Sequence, residues 1–365
     1  MRAAVVALSA LSATALASHS PSSSHRRSLP KRSSGYSLTT HAAGQDFFDL
    51  FDFATGSDNG GMAEYVDSST AWSNNLVQVK DGRAHIRVST EGSGSTRQAV
   101  KLTSKNEYSE GLYIWDVERM PQVCGAWPAI WSSGADWPNQ APFSAASALY
   151  SSTSRIPPLI PIHWSSSTGE IDIVEYVSHQ SMNSFSVHTG SGCWAGSTGY
   201  TGTEMLETSL ALDCDADATS SQGCGFRTTR NNTAGIGANF GEGGVYAMEW
   251  SSAGIKAWFF ARDSIPSDIT DQNPDPSSWT TPDMYVAASS CDPSTYFGPQ
   301  TFVVNTNLCG TWPNGVWSTD NSYAGQSEGS CAATTGFATC EEYVQARGED
   351  FKHAYWRIAS FSVYN

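Results

Sequence analysis

The chain has 365 residues, with 20 Lys and Arg against 35 Asp and Glu and a formal net charge of −15. An acidic surface of this kind repels nucleic acid, and beyond residue 17 no apolar run is long enough to anchor in a membrane. The length suits one large all-β domain or two smaller ones.

Residues Ala3 to Ala17 form a short Ala/Leu/Val segment behind Arg2 and read as a secretory signal over residues 1–17, too short to span a bilayer. Residues 18–43 read as a pro-segment or linker, with the dibasic pair Lys31-Arg32 suited to processing. The first 32 residues hold five basic residues and no acidic one, which leaves 15 basic against 35 acidic beyond them. A single catalytic domain is expected over 44–365.

From Phe47 onward the text is a series of short β-like runs broken by Gly, Asn, Asp and Ser. Residues 76–79 and 84–88 straddle Lys80-Asp81-Gly82-Arg83, a hairpin signal. Further strands are expected over 99–102, 111–117, 126–131, 184–188, 244–250, 255–260, 301–304 and 356–364. Only Cys340 to Arg347 has the look of a short helix. Strands at this spacing predict a sandwich. Eight cysteines without zinc-finger spacing read as disulfides, with 105 pairings open if all are used. Asn231-Asn232-Thr233 offers one N-glycosylation acceptor, implying a surface loop.

The informative stretch is Gly169-Glu170-Ile171-Asp172-Ile173-Val174-Glu175. Its Ile and Val content reads as a buried strand, yet three carboxylates would be costly to bury without a purpose. Alternation puts Glu170 and Asp172 on one face and Ile171 and Ile173 on the other. Glu175 falls out of phase, and a β-bulge near Ile173-Val174 would return it to the face of the other two. Paired carboxyls on one face are what glycoside cleavage requires: one attacks the anomeric carbon while the other protonates the leaving oxygen. Asp172 between them would hold Glu170 by a hydrogen bond and help keep Glu175 protonated. Thirteen Trp, far more than one core needs, add flat faces on which sugar rings stack.

Several segments together resemble glycoside hydrolase family 16, in its fungal endo-1,3(4)-β-glucanase or laminarinase branch. They include Cys124-Gly125-Ala126-Trp127-Pro128-Ala129-Ile130-Trp131, Trp137-Pro138-Asn139, Gly169 to Glu175, Val187-His188-Thr189, Val245 to Trp250 and Cys309-Gly310-Thr311-Trp312. The resemblance implies a β-jelly roll of two antiparallel sheets with an open concave cleft, and cleavage that retains anomeric configuration. By position it makes Glu170 the nucleophile, Asp172 its partner and Glu175 the acid/base. It also places His188 beside the acid/base, and Trp131, Trp137, Glu249, Trp312 and Lys101 on sugar, with Lys101 standing where relatives usually carry Arg.

The expected protein is thus a secreted, monomeric, endo-acting hydrolase of β-1,3 bonds, and of β-1,4 bonds next to them, in β-glucan. It would need no cofactor. A structural Ca²⁺ on the convex side occurs among relatives, but no clear ligand cluster for it stands out in the sequence. A non-catalytic glucan-binding protein and a transglycosylase are the alternatives on the same fold. One departure stands out: residues 140–168 intervene where relatives pass almost directly to Gly-Glu. The tract has neither strand nor helix period and reads as translated intron rather than a rim loop.

Overall fold

A computed structural model describes residues 35–91, 94–135, 137, 168–240 and 242–365. The expected signal segment and nearly all of the 140–168 tract lie outside them. Among the described residues eighteen strands form, in chain order: β1 Leu38–Ala42, β2 Phe51–Ala54, β3 Ala63–Tyr65, β4 Val77–Lys80, β5 Arg83–Arg87, β6 Arg97–Ala99, β7 Lys101–Ser104, β8 Gly111–Arg119, β9 Ala126–Gly134, β10 Glu170–Glu175, β11 Ser184–His188, β12 Thr203–Glu204, β13 Cys224–Arg227, β14 Gly244–Ser251, β15 Gly254–Ala261, β16 Met284–Ala287, β17 Gln300–Leu308 and β18 Tyr355–Tyr364.

The expected strand runs appear, displaced by at most a few residues, except that 99–102 is divided between the end of β6 and the start of β7, which lie in different sheets. The hairpin turns at Asp81-Gly82, both with positive φ (52° and 73°), as a tight two-residue turn between twisted strands requires. The helix at the C-terminal end spans Cys340–Ala346. The other helices are too short to show a sequence period: the longest, such as Gly44–Asp49 and Ser68–Ser73, have six residues.

Sixteen of these strands assemble into two antiparallel sheets, while β3 and β6 pair in parallel on their own. One runs β16-β15-β14-β8-β18-β5-β4, with β1 also pairing β18; the other runs β12-β13-β11-β10-β9-β17-β7-β2. Non-consecutive neighbours such as β14-β8-β18-β5 and β9-β17-β7-β2 make this a jelly-roll sandwich and not a meander. The pairing of β1 with the end of β18 puts residues 38–42 inside the sheet, so the folded domain starts earlier than residue 44. That short strand escaped the sequence reading because its Thr and His residues carry no apolar alternation.

The core lies between the sheets. Trp115 stacks on Phe361 at 4.0 Å, with Phe302 edge-on at 5.7 and 5.3 Å. Ile171, Ile173 and Val174 of β10 enter the same core, each fully buried. Four disulfides join Cys124–Cys331, Cys193–Cys291, Cys214–Cys224 and Cys309–Cys340. Two of them, Cys124–Cys331 and Cys309–Cys340, tie the helical C-terminal segment beneath the end of β17. Asn231 sits exposed in its turn.

Candidate active site

The site is built on β10 and its neighbours β9 and β11. Gly169 opens the strand because nothing larger fits: a Cβ there would lie 2.5 Å from the Phe297 ring and 2.8 Å from the His188 carbonyl. Register then shows the expected bulge. On the β11 side Asp172 pairs Ser186 and Glu175 pairs Ser184; on the β9 side Asp172 pairs Trp131 and Val174 already pairs Ile130. Three residues of β10 therefore oppose two of its neighbour, and Glu175 returns to the face of Glu170 and Asp172.

The bulge leaves two backbone groups without ladder partners, and Asn183 supplies both. Its Nδ2 donates to the Ile173 carbonyl at 3.0 Å and its Oδ1 accepts from the Glu175 N–H at 3.0 Å. Asn183 is itself fully buried. Sequence reasoning missed it, since an Asn before a strand reads as turn chemistry.

The three carboxyls share one environment. Burial, then the charge of Asp172, pushes Glu170 up to about 8, against the pull of His188 and a hydrogen bond from Trp137. Glu175 is also pushed up to about 8, by burial and then Asp172, although the Trp127 indole N–H donates to its Oε1 at 2.8 Å. Burial raises Asp172 to about 7, while its hydrogen bond with Glu170 works the other way. Three closely held carboxyls cannot all ionise together, so the cluster keeps protons at neutral pH.

The other expected residues divide. His188 pairs with Glu170 across the strands, and its Nε2 lies 2.9 Å from Asp172 Oδ2. It thus contacts Glu170's partner, and its pull also reaches Glu175. Trp131 donates to Asn305 at 3.0 Å, and Asn305 donates to the Tyr65 hydroxyl at 2.9 Å. Lys101 lies over the Trp131 and Tyr65 rings, its ammonium held 2.5 Å from Asp58. Trp312, on the short helix Thr311–Gly315, meets Trp127 edge-on at 6.0 Å.

Glu249 does not join them. It lies on β14 in the opposite sheet, where Tyr246, Met248 and Trp250 point into the core. Alternation therefore turns Glu249 to the far face, bound by Tyr36 at 3.1 Å and Lys256 at 2.9 Å. Residues missed on the site face are Trp127, Asn305 and Arg227, whose guanidinium sits 4.8 Å from the half-exposed Tyr323 ring. Trp127 was visible in its Trp-Pro segment; Asn305 and Arg227 needed the register to be seen.

Among the described residues the one cluster of three metal-type ligands is Glu170, Asp172 and His188. These are already hydrogen-bonded to one another.

Fold and site together define a class: a jelly-roll protein whose bulged central strand carries three carboxyls among tryptophans. The chain belongs to glycoside hydrolase family 16, for the family model of the XgeA-like, catalytic GH16 domain matches residues 51–141 and 160–364. The break in that match falls inside the 140–168 tract. The chain is 34% identical over 345 residues to a probable endo-1,3(4)-β-glucanase of Aspergillus niger, covering 92% of this chain and 41% of that one. It therefore spans less than half the length of that relative. Among solved structures it resembles Laminarinase 16A from Phanerochaete chrysosporium, described with β-glucans in both donor and acceptor sites (TM-score 0.74, 28% identity, 90% and 99% of the two chains). It also resembles an elongating family 16 β-1,3-glucosyltransferase (TM-score 0.73, 32% identity, 90% and 100%).

Proposed function

We propose that the chain is a secreted, endo-acting, retaining hydrolase of β-1,3 and adjacent β-1,4 bonds in β-glucan. The observation that carries this is the bulge, which places Glu175 beside Asp172 and Glu170 on one open face. Glu170, as carboxylate, attacks the anomeric carbon, while Glu175 passes its proton to the departing glycosidic oxygen. Glu175, now ionised, takes a proton from the water that attacks the glycosyl-enzyme, and Glu170 leaves as carboxylate. Asp172, held by His188, keeps negative charge between the two. No cofactor enters these steps. Four disulfides support an oxidising, extracellular destination.

Glu170→Gln tests the reading: laminarin hydrolysis should fall by about 10³-fold or more, while laminarin affinity changes only a few-fold. Full activity in that variant would overturn it. The glucosyltransferase neighbour favours a second reading, in which another sugar replaces water as acceptor. Products longer than the starting oligosaccharide, seen by mass spectrometry, would mark that outcome.

A further inference from the structure

The face of the sandwich farthest from the carboxyls carries a groove of about 570 Å³ on the outer side of β4, β5 and β18, within the size range of small-ligand sites. Alternation builds it: Ala84, Ile86, Trp356 and Ile358 point into the core, which turns Arg83, His85, Arg87, Tyr355 and Arg357 outward. Lys80 and Lys352 complete a set of five Lys and Arg side chains lining the groove, against only Asp81 and Glu118. Such a surplus is unexpected on a chain of net charge −15.

The charges are unevenly committed. Glu118 takes both Arg83, at 2.9 Å, and Arg357, at 2.8 Å. Among the described residues Lys80, Arg87, Arg119 and Lys352 have no ion-pair partner. Arg87 and Arg119 instead lie over the Tyr355 ring, 5.6 and 4.7 Å from its centre. A ring flanked by free guanidiniums offers stacking for a sugar and forked donors for an oxyanion.

We propose that this groove binds an acidic glycan, a sugar polymer carrying scattered carboxylate, phosphate or sulfate groups. A few charges match the local surplus, whereas a densely charged strand such as nucleic acid would meet the repulsion of the whole acidic surface. The site lies apart from the carboxyl cluster and would tether the protein to an anionic matrix while the other face stays free.

The test is calorimetric titration of the full chain with trigalacturonate and with mannose 6-phosphate at low salt. Neutral laminaritriose, inorganic phosphate and a short DNA duplex serve as comparisons. An acidic sugar should bind, and Arg87→Glu/Lys352→Glu should weaken it about tenfold or more. Lys352→Glu alone, at an exposed position, should give a smaller loss in the same direction. Glu170→Gln should leave acidic-sugar binding unchanged, so failure here is distinguishable from failure of the hydrolase reading. The two acidic sugars distinguish carboxylate from phosphate recognition. No binding of either, equal binding in the double variant, or inorganic phosphate or DNA binding as tightly as the sugar would overturn the proposal.

Discussion

Asn183→Ala tests the reasoning about the bulge most directly. The substitution removes the two side-chain hydrogen bonds that serve the Ile173 carbonyl and the Glu175 N–H. Both backbone groups are then stranded in a site where no protein partner replaces Asn183. Leaving a buried donor or acceptor unmade costs about 1–3 kcal/mol each, so a loss of about 3 kcal/mol is expected. Because relaxing the bulge would turn Glu175 away from Glu170, kcat on laminarin should drop by about 10²-fold, well beyond any change in KM. Urea unfolding monitored by tryptophan fluorescence gives the first number and steady-state reducing-sugar release the second. Asn183→Asp keeps the acceptor but sets a carboxylate against the Ile173 carbonyl, and should do no better. An Asn183→Ala variant with wild-type kcat and a stability loss below about 1 kcal/mol would refute the argument.

Glu175→Gln should stabilise the fold at neutral pH. Glu175 binds a proton in the folded state that the unfolded carboxyl has released, so its effect is absent below the unfolded value and grows as pH rises toward about 8. The variant should therefore match the parent near pH 4 and exceed it by about 2 kcal/mol near pH 7; equal stabilities at both would contradict the assignment. Trp127→Phe removes a donor that favours the ionised form of Glu175, so the alkaline limb of the laminarin kcat/KM profile should move to higher pH. A limb that moves to lower pH, or does not move, would count against that contact. Replacing Cys309 and Cys340 together by Ala opens a bridge of sequence separation 31, for which a loss of about 3–4 kcal/mol is expected. Trp312 follows Cys309 by three residues, so substrate affinity should weaken in the same variant, measured by affinity electrophoresis in laminarin.

Much of the fold was legible because period-2 alternation survives wherever a strand has one face in the core. β18 shows this, with Trp356, Ile358, Phe361 and Val363 turned into the core, whereas β8 and β14 carry apolar residues on both faces and read as continuous apolar runs; each was found within a few residues of its ends. Part of what escaped lacked that signal: β1 and β12 are edge strands with little apolar content, and β13 is four residues headed by a cysteine; β2 and β16 do alternate but are only four residues long. The carboxyl triad was legible for the opposite reason, as a conflict between burial and charge that only a bulge resolves. Asn183 and Asn305, which help hold the site in place, were not, because they reach it through register with other strands.

Glu249 shows the limit of carrying a role over by position. Its charge among apolar neighbours looks like the conflict on β10, yet here the conflict is settled locally by Lys256 and Tyr36. A cross-strand cation directly opposite, in the register Glu249 to Lys256, neutralises the carboxylate. The β10 carboxyls have no Lys or Arg opposite them: their cross-strand partners are Ser133, Trp131 and Ala129 on one side and His188, Ser186 and Ser184 on the other, so His188 is the one basic group across the ladder. Their charge is left to be settled by sharing protons, which is the state a proton-transferring site requires. What separates the proposed catalytic carboxylates from the structural Glu249 on these strands is therefore the residue across the ladder.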